Sequence, residues 1–599
     1  MTRAPRNLDL AAIGNCEVAA LLDDEATIVW FCLPRLDGDP VFHALLDSDR
    51  EADAQGVFSV ELLDRASVTQ QYLRNTAILE TTMADAQGNR LRVVDFCPRF
   101  RARGRIFRPS MVVRLIEPLA GRPMVRFRVR PRFDNGASAP DVTRGSHHIA
   151  YRGAAHAFRI TSNCSISAIA EESPCVVDGP LAIILGPDQT VEESPLALAN
   201  SFLEKTRAYW DDWVRGLAIP FEWQEAVIRA AISLKLCTYE DTGAVLAALT
   251  TSIPESVGSG RNWDYRYCWL RDSYFVIQAL NRLGATRTME GYLRFIDRIV
   301  ASCAERDIAP LYSIGGEREV PERVVPSLRG YRGMGPVRVG NHAWLQRQHD
   351  VYGAIILASA HSFFDERLTN LGDAVQFTQL ECIGQRALAV HDQPDAGPWE
   401  FRGLERVHTF SAAMCWAGVD RLSRIARRLG LGARAAYWVG RARELREHVL
   451  GNAWHAGAQA LTSSYGSADL DATALLLPEL GLVDATDPRF LSTLAAIERE
   501  LKDGDWLYRY RHRDDFGHPA AAFTICAFWY VNALAMAGRR EEAREHFERL
   551  LERRTRLGML SEDIDPASGE WWGNFPQTYS LVGIVNSAIR LSRSWEEAL

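Results

Sequence analysis

The chain has 599 residues, 47% of them hydrophobic and 24% charged, which is ordinary for a globular protein with room for two or three domains. Its net charge of −8 argues against a polyanionic partner, so no nucleic acid is expected. No apolar run is long enough to span a bilayer and no apolar segment follows the N-terminal charges, so neither a membrane partner nor a secretory leader is expected.

Along the first ~200 residues, short β-branched and aromatic runs recur: Ala26–Phe31, Gln71–Leu73, Leu91–Phe96 and Met111–Leu115. Asp37-Gly38, Gly88-Asn89 and Asn135-Gly136 mark turns between them. This pattern predicts an antiparallel sandwich over residues 1–194. The period changes near Ser194, and a charged helix over Leu196–Gly216 predicts a linker, assigned to 195–221.

From Glu222 the apolar residues recur at three and four. About twelve helices are predicted over 222–599, among them Glu222–Tyr239, Ser273–Leu283, Ala343–Phe364, Asp471–Leu477 and Tyr579–Leu591. Twelve helices in one unit fit a double ring of six inner and six outer helices. Long loops interrupt them at Thr250–Leu270, Ala309–His342, Asp392–His408, Asp503–Pro519 and Leu557–Gln577. Loops of that length are usually functional, and here they are expected to gather on one rim.

The first loop holds the densest chemistry. Asn262-Trp263-Asp264-Tyr265-Arg266-Tyr267-Cys268-Trp269-Leu270-Arg271-Asp272-Ser273 packs four aromatics, two Arg and two Asp into twelve residues. Aromatic faces stack on sugar C–H faces, and Arg and Asp make directional bonds to hydroxyls. The later loops repeat this mixture around Tyr331–Asn341, Gly397–Gly403, Tyr508–Asp515 and Leu560–Gln577. The composition is that of a carbohydrate pocket.

Glycoside hydrolysis usually takes two carboxyls, one protonated and one ionised. Glu400, between Trp399 and Phe401, suits the acid, because an apolar setting disfavours its charge. Glu562, beside Asp563 in a more polar loop, suits an ionised base. Either glutamate could instead cap a helix or pair with Arg402 or Arg406.

Four ordered motifs, "NWDYRYCWLRDS", "PVRVGN", "GPWEFRG" and "LSEDIDPASGEWWGNFPQTYSLVGIVNSA", follow an N-terminal "AAIGNCEVAALLDDEATIVWFCLPRLDGDPVF". Together they resemble glycoside hydrolase family 15 in its bacterial, glucoamylase- and trehalase-like form, over nearly the whole chain. The resemblance implies an N-terminal antiparallel β-supersandwich followed by an (α/α)6 barrel. It implies an inverting, exo-acting α-glucoside hydrolase that releases β-D-glucose from the non-reducing end. It assigns Glu400 as general acid and Glu562 as general base. It places Tyr265, Trp269, Arg271, Asp272 and Trp399 around the terminal glucose, with Arg509 as the arginine of the Tyr508–Asp515 run. Many fungal relatives carry a second acid where this chain has Phe401, so the sugar contacts made by that acid are not carried over.

The main expectation is a glucoamylase-type enzyme acting on a small oligosaccharide or disaccharide. The alternatives are an α,α-trehalase and an isomaltose-type α-1,6-glucosidase. A phosphorylase needs no base such as Glu562, and a silent sugar-binding protein needs neither glutamate. No metal and no cofactor are expected: His147-His148 and His342 lack ligand spacing, and the 11 Cys fall in no CxxC pair. An odd number of scattered thiols suits the reducing cytoplasm. A homo-oligomer is compatible with the sequence.

Overall fold

The computed structural model describes residues 6–47, 54–301 and 307–599. Two antiparallel sheets form the N-terminal part. The first runs, in spatial order, Ala11–Gly14, Ala19–Leu22, Ile28–Leu33, Val57–Leu62, Met124–Arg130 and Cys175–Val176, with Asp39–Phe42 also paired to Ile28–Leu33. The second runs Asp141–Arg144, His148–Arg152, Ala157–Ser162, Leu181–Pro187, Val112–Ala120, Arg90–Phe96, Leu79–Asp85 and Arg65–Tyr72.

Burial along Leu79–Asp85 alternates residue by residue, as a strand with one core face requires. Ile28–Leu33 is instead buried throughout. Its second face is covered by the helical part, to which Trp30 is tied by an Nε1–H bond to the Leu249 carbonyl at 2.7 Å. The two sheets are pinned by a buried ion pair. Arg114 Nε bonds Asp95 Oδ1 at 2.7 Å within the second sheet, and Arg114 Nη1 reaches Phe58 O of the first at 2.9 Å.

The segment expected to be a linker is a helix, Pro195–Arg215, and it does not run free. Its apolar stripe packs on the second sheet and on a separate hairpin, Phe100–Ala102 and Arg105–Phe107, where the Phe202 ring lies 5.4 Å from both Phe100 and Phe107.

The helical part is an (α/α)6 barrel. Its inner helices are Leu270–Arg282, Asp350–Phe364, Thr409–Arg428, the short pair Ala472–Leu476 and Leu477–Leu480, Thr524–Met536 and Thr578–Leu591. Each packs on the next, and the last closes on the first. The outer ring is Gln224–Leu236, Thr286–Ala301, Ala374–Val390, Gly432–Ala453, Pro488–Glu500 and Arg540–Glu552. Burial differs between an inner helix and a solvent-facing outer one. Thr524–Met536 is apolar nearly all round, whereas Arg540–Glu552 buries only Ala543, His546, Phe547 and Leu550. Gly353 sets one inner contact: a Cβ there would lie 2.1 Å from Met414 O, so only glycine lets these two helices approach.

Three predicted helices differ. Ala343–Phe364 breaks into a 3-10 turn at His342–Leu345 and a helix that starts at Asp350, because Asn341 caps the turn and the chain then leaves it extended at Gln346. Asp471–Leu477 shrinks to a 3-10 turn capped by the Asp471 carboxylate, and Gly481 at φ +89° ends the short helix that follows. Ser273–Leu283 starts earlier, at Leu270, so Arg271 and Asp272 lie in its first turn. Asp272 is therefore not the cap; that position is Trp269.

Among the described residues, no helix is long and apolar enough to cross a membrane.

Candidate active site

The long loops all lead from an outer helix into the N-terminus of an inner one. In such a ring, these connections share one rim. The positive ends of the inner helix dipoles therefore face the same pocket, an environment that favours anions and electronegative groups.

Five loops line that pocket. The first gives Glu255, Arg261, Trp263, Tyr265 and Trp269, and the second gives Asn341. The third gives Trp399, Glu400, Phe401 and Arg402. The fourth gives Arg509, Asp514, Asp515 and Phe516, and the last gives Glu562 and Gln577. All eight residues singled out in the sequence meet here: Tyr265, Trp269, Arg271, Asp272, Trp399, Glu400, Arg509 and Glu562.

Two neighbouring rings hold the two glutamates. Tyr265 and Trp269 lie 5.2 Å apart, centre to centre. The Tyr265 hydroxyl donates to Glu562 Oε1 at 2.5 Å, and Trp269 Nε1–H donates to Glu400 Oε1. The Asn574 backbone N–H donates to the other oxygen of Glu562 at 3.3 Å. A Cβ on Gly573, which sits at φ +72°, would be 2.7 Å from Glu562 Oε2, so glycine keeps that oxygen clear.

Glu400 itself has φ +63°, a costly conformation for a residue with a Cβ. The turn is held by Glu400 N–H to Gly397 O at 3.2 Å and by Gln346 Nε2 to the Glu400 carbonyl at 3.1 Å. Strain retained at this position aims the carboxyl into the pocket.

Burial raises the proton affinity of Glu400, while Arg271, 3.4 Å away, and Trp269 oppose the rise. Glu562 corrects the expectation from sequence. Its loop is polar in composition but buried, leaving the residue 1% exposed. Burial and the charge of Glu255 push its proton affinity up, against Tyr265 and Arg509. Asp563, deeper still, is shifted the same way by burial and by Glu562. Neither of its carboxylate oxygens has a hydrogen-bond partner among the described residues.

Arg271 is buried, bonded through Nη1 to Asp350 Oδ2 and Gln348 Oε1, each at 2.9 Å. Asp272 is pushed up to about 6, chiefly by burial, and its carboxyl lies in the pocket 3.9 Å from Arg271 Nε. Trp399 is fixed by Nε1–H to Asp471 Oδ2 at 2.7 Å and packs edge-on against Phe523. Of the arginines at 509, 511 and 513, Arg509 is the one that lines the pocket, paired with Glu255.

Loop sequence alone did not single out Glu255, Asp350, Arg261 or Asp514. Glu255 and Arg261 lie in the first long loop and Asp514 in the fourth, so location was a usable signal. Asp350 opens an apolar helix, where a buried acid implies a buried cation.

The far side of the pocket is a fastened wall. Asp515 Oδ2 accepts the backbone N–H groups of Arg402 at 2.6 Å and Gly403 at 3.2 Å. Arg402 lies 4.1 Å over the Trp263 ring, which also meets Phe516 edge-on at 5.3 Å. Arg261 bonds Asp514 at 2.6 Å. Phe401 stacks on His408, 5.6 Å between ring centres. Among the described residues, one group has the spacing of a metal site, His391, Asp392 and His448, and it is not part of this pocket.

Residues 223–589 match the model of glycosyl hydrolases family 15, and residues 3–171 match a trehalase-like N-terminal domain. The chain is 31% identical to a trehalase of Thermoplasma volcanium over 98% of this chain and 93% of that one. It is also 31% identical to a trehalase of Mycolicibacterium smegmatis, over 99% and 92%. A bacterial glucoamylase complexed with acarbose shares the fold, with TM-score 0.69 at 14% identity over 98% of this chain and 94% of that one. A pocket with two glutamates at its centre and a family match across most of the helical part lead to one assignment: the chain belongs to glycosyl hydrolases family 15 and is a glycoside hydrolase.

Proposed function

We propose that this enzyme is an α,α-trehalase that works with inversion, with Glu400 as general acid and Glu562 as general base. The observation that carries the chemistry is the pair Tyr265 and Trp269, which hold the two carboxyls on separate donors within one pocket. The choice of trehalose rests on relatives that match over nearly their whole length and carry that name. The glucoamylase-type reading expected from sequence is less well supported, because the glucoamylase likeness is one of fold.

In this reading one glucose enters against Trp399, Arg271 and Asp272. Burial favours the neutral form of Glu400, which suits it to give a proton to the glycosidic oxygen as that bond breaks. Glu562 must be ionised when it accepts a proton from the attacking water. Tyr265 O–H and Asn574 N–H donate to that anion and orient it. The second glucose of the disaccharide occupies the space before the wall of Arg261, Trp263, Arg402, Asp514 and Phe516. Charged and aromatic groups on both sides of the cut suit a substrate of two sugars.

The deciding experiment is hydrolysis of trehalose, maltose, isomaltose, kojibiose and soluble starch, with glucose quantified. The expected result is a kcat/KM for trehalose at least tenfold above the others. Preference for starch or maltose would restore the glucoamylase reading, and preference for isomaltose the α-1,6 one.

A further inference from the structure

A second cleft lies apart from the glutamate pocket. It measures about 750 Å3 and sits where the β-sandwich, the Pro195–Arg215 helix and the barrel meet. Its floor holds two buried cations, Arg99 and Lys235, 1% and 3% exposed. Both bond a single carboxylate, Glu240. Arg99 Nη1 also bonds Asn15 O at 2.6 Å, but its Nε, which is buried, has no hydrogen-bond partner among the described residues.

The rim adds four exposed cations, Arg101, Lys205, Arg287 and Arg294. None of these enters an ion pair among the described residues, and Lys205 instead lies 5.3 Å over the Phe100 ring. Among the described residues, Asp212 is the only other carboxylate lining the cleft. Six cationic side chains thus face two acids, in a chain whose net charge is −8. Like charges gathered around a low-dielectric cleft repel one another and concentrate anions. Tyr209, one face of which is covered by Arg99 at 4.6 Å, and Trp213 line the same cleft and add aromatic surface. The volume is in the range of small-molecule sites and exceeds what a bare oxyanion needs.

We propose that this cleft binds a small organic phosphate. The phosphate would lie among Arg287, Arg294 and Arg101, and its organic body would lie against Tyr209 and Trp213. Such a ligand bridges the β-sandwich, the connecting helix and the barrel, so it tightens the packing of the two parts on each other.

The test is calorimetric titration of the whole enzyme with glucose 6-phosphate, inorganic phosphate and glucose, at one ionic strength set with KCl. The expected result is saturable binding of glucose 6-phosphate, at least tenfold tighter than inorganic phosphate, and a raised melting temperature. The double variant R287E/R294E, with both changes on exposed positions, is expected to weaken that binding at least tenfold and to melt with the parent when no ligand is present. Should it melt early, R101Q gives a second reading, expected to weaken binding at least threefold. Binding unchanged in these variants, inorganic phosphate as tight as the ester, or heats matched by KCl would overturn the proposal.

Discussion

The rings of Tyr265 and Trp269 lie 5.2 Å apart, and each donates its polar hydrogen to a different glutamate. Two residues of one loop thus hold both carboxyls. Removing one donor should affect one glutamate and leave the other in place. Tyr265→Phe keeps the ring and deletes a hydrogen bond to a charged group, worth ~1.5–3 kcal/mol. The expected loss in kcat/KM is about ten- to a hundredfold. Because the lost donor stabilised the anion of Glu562, the acid limb of the pH profile should also move to higher pH. An unmoved limb would show that Tyr265 does not act through Glu562.

Glu255→Gln should move the same limb the other way. Burial is the main force raising the proton affinity of Glu562, and the Glu255 charge is the next. A base must be ionised to work, so activity falls as pH drops through its pKa. Taking away the neighbouring negative charge lets Glu562 ionise at lower pH. The profile of kcat/KM for trehalose, taken from pH 4 to 9, reads the shift directly.

Glu400→Gln should keep the fold and lower turnover by roughly a hundred- to ten-thousandfold, the usual scale of general acid catalysis. Substrates with a good leaving group need less protonation and should be partly spared. Near-normal hydrolysis of a disaccharide by this variant would remove Glu400 from the role proposed for it.

Arg271 and Asp272, adjacent in sequence, should behave differently. Asp272 does not cap its helix, so Asp272→Ala should weaken sugar binding and shift the melting temperature by only a degree or two, as roughly expected for a site off the core. Arg271→Ala leaves Asp350 buried without its cation, and breaking such a pair costs ~3–5 kcal/mol. Kinetics and thermal melts run side by side on both variants separate the two cases.

Inversion predicts a product pattern specific to trehalose. The attacked carbon becomes β and the departing glucose keeps its α configuration, so equal amounts of both anomers should appear in the first minutes of a proton NMR time course. Retention would give α-glucose alone. The inverting geometry also calls for carboxyls roughly 6.5–9.5 Å apart.

Asp563 gives a stability test. Its carboxyl is buried without a hydrogen-bond partner among the described residues, and its proton affinity is raised by burial and then by Glu562. A raised carboxyl contributes its full stability below the unfolded pKa, about 3.9 for Asp, and loses it as pH climbs towards the folded value. Asp563→Asn cannot ionise. The stability difference between variant and parent should therefore move in favour of the variant from pH 4 to pH 8, read by denaturant melts.

Much of this was legible in the sequence, because it depends on local patterns. The β-branched and aromatic runs Leu91–Phe96 and Met111–Leu115 mark strands, found at Arg90–Phe96 and Val112–Ala120, and apolar stripes in threes and fours mark the helices. Loop composition and the family resemblance together named eight residues that line one pocket. Tertiary structure alone decided the rest, since burial and pairing belong to surroundings drawn from distant segments. Glu562 reads as a residue of a polar, solvated loop, yet it is enclosed by Tyr265, Glu255 and Arg509, from 53 to 307 positions away, and its proton affinity rises. The charged helix near Pro195–Arg215 is read from its period, but its packing on the sheet is not. Closure of the ring, the buried partner of Arg271 and the cationic cleft between the two parts likewise arise only when remote residues share one space, where desolvation rather than composition sets the energy of a charge.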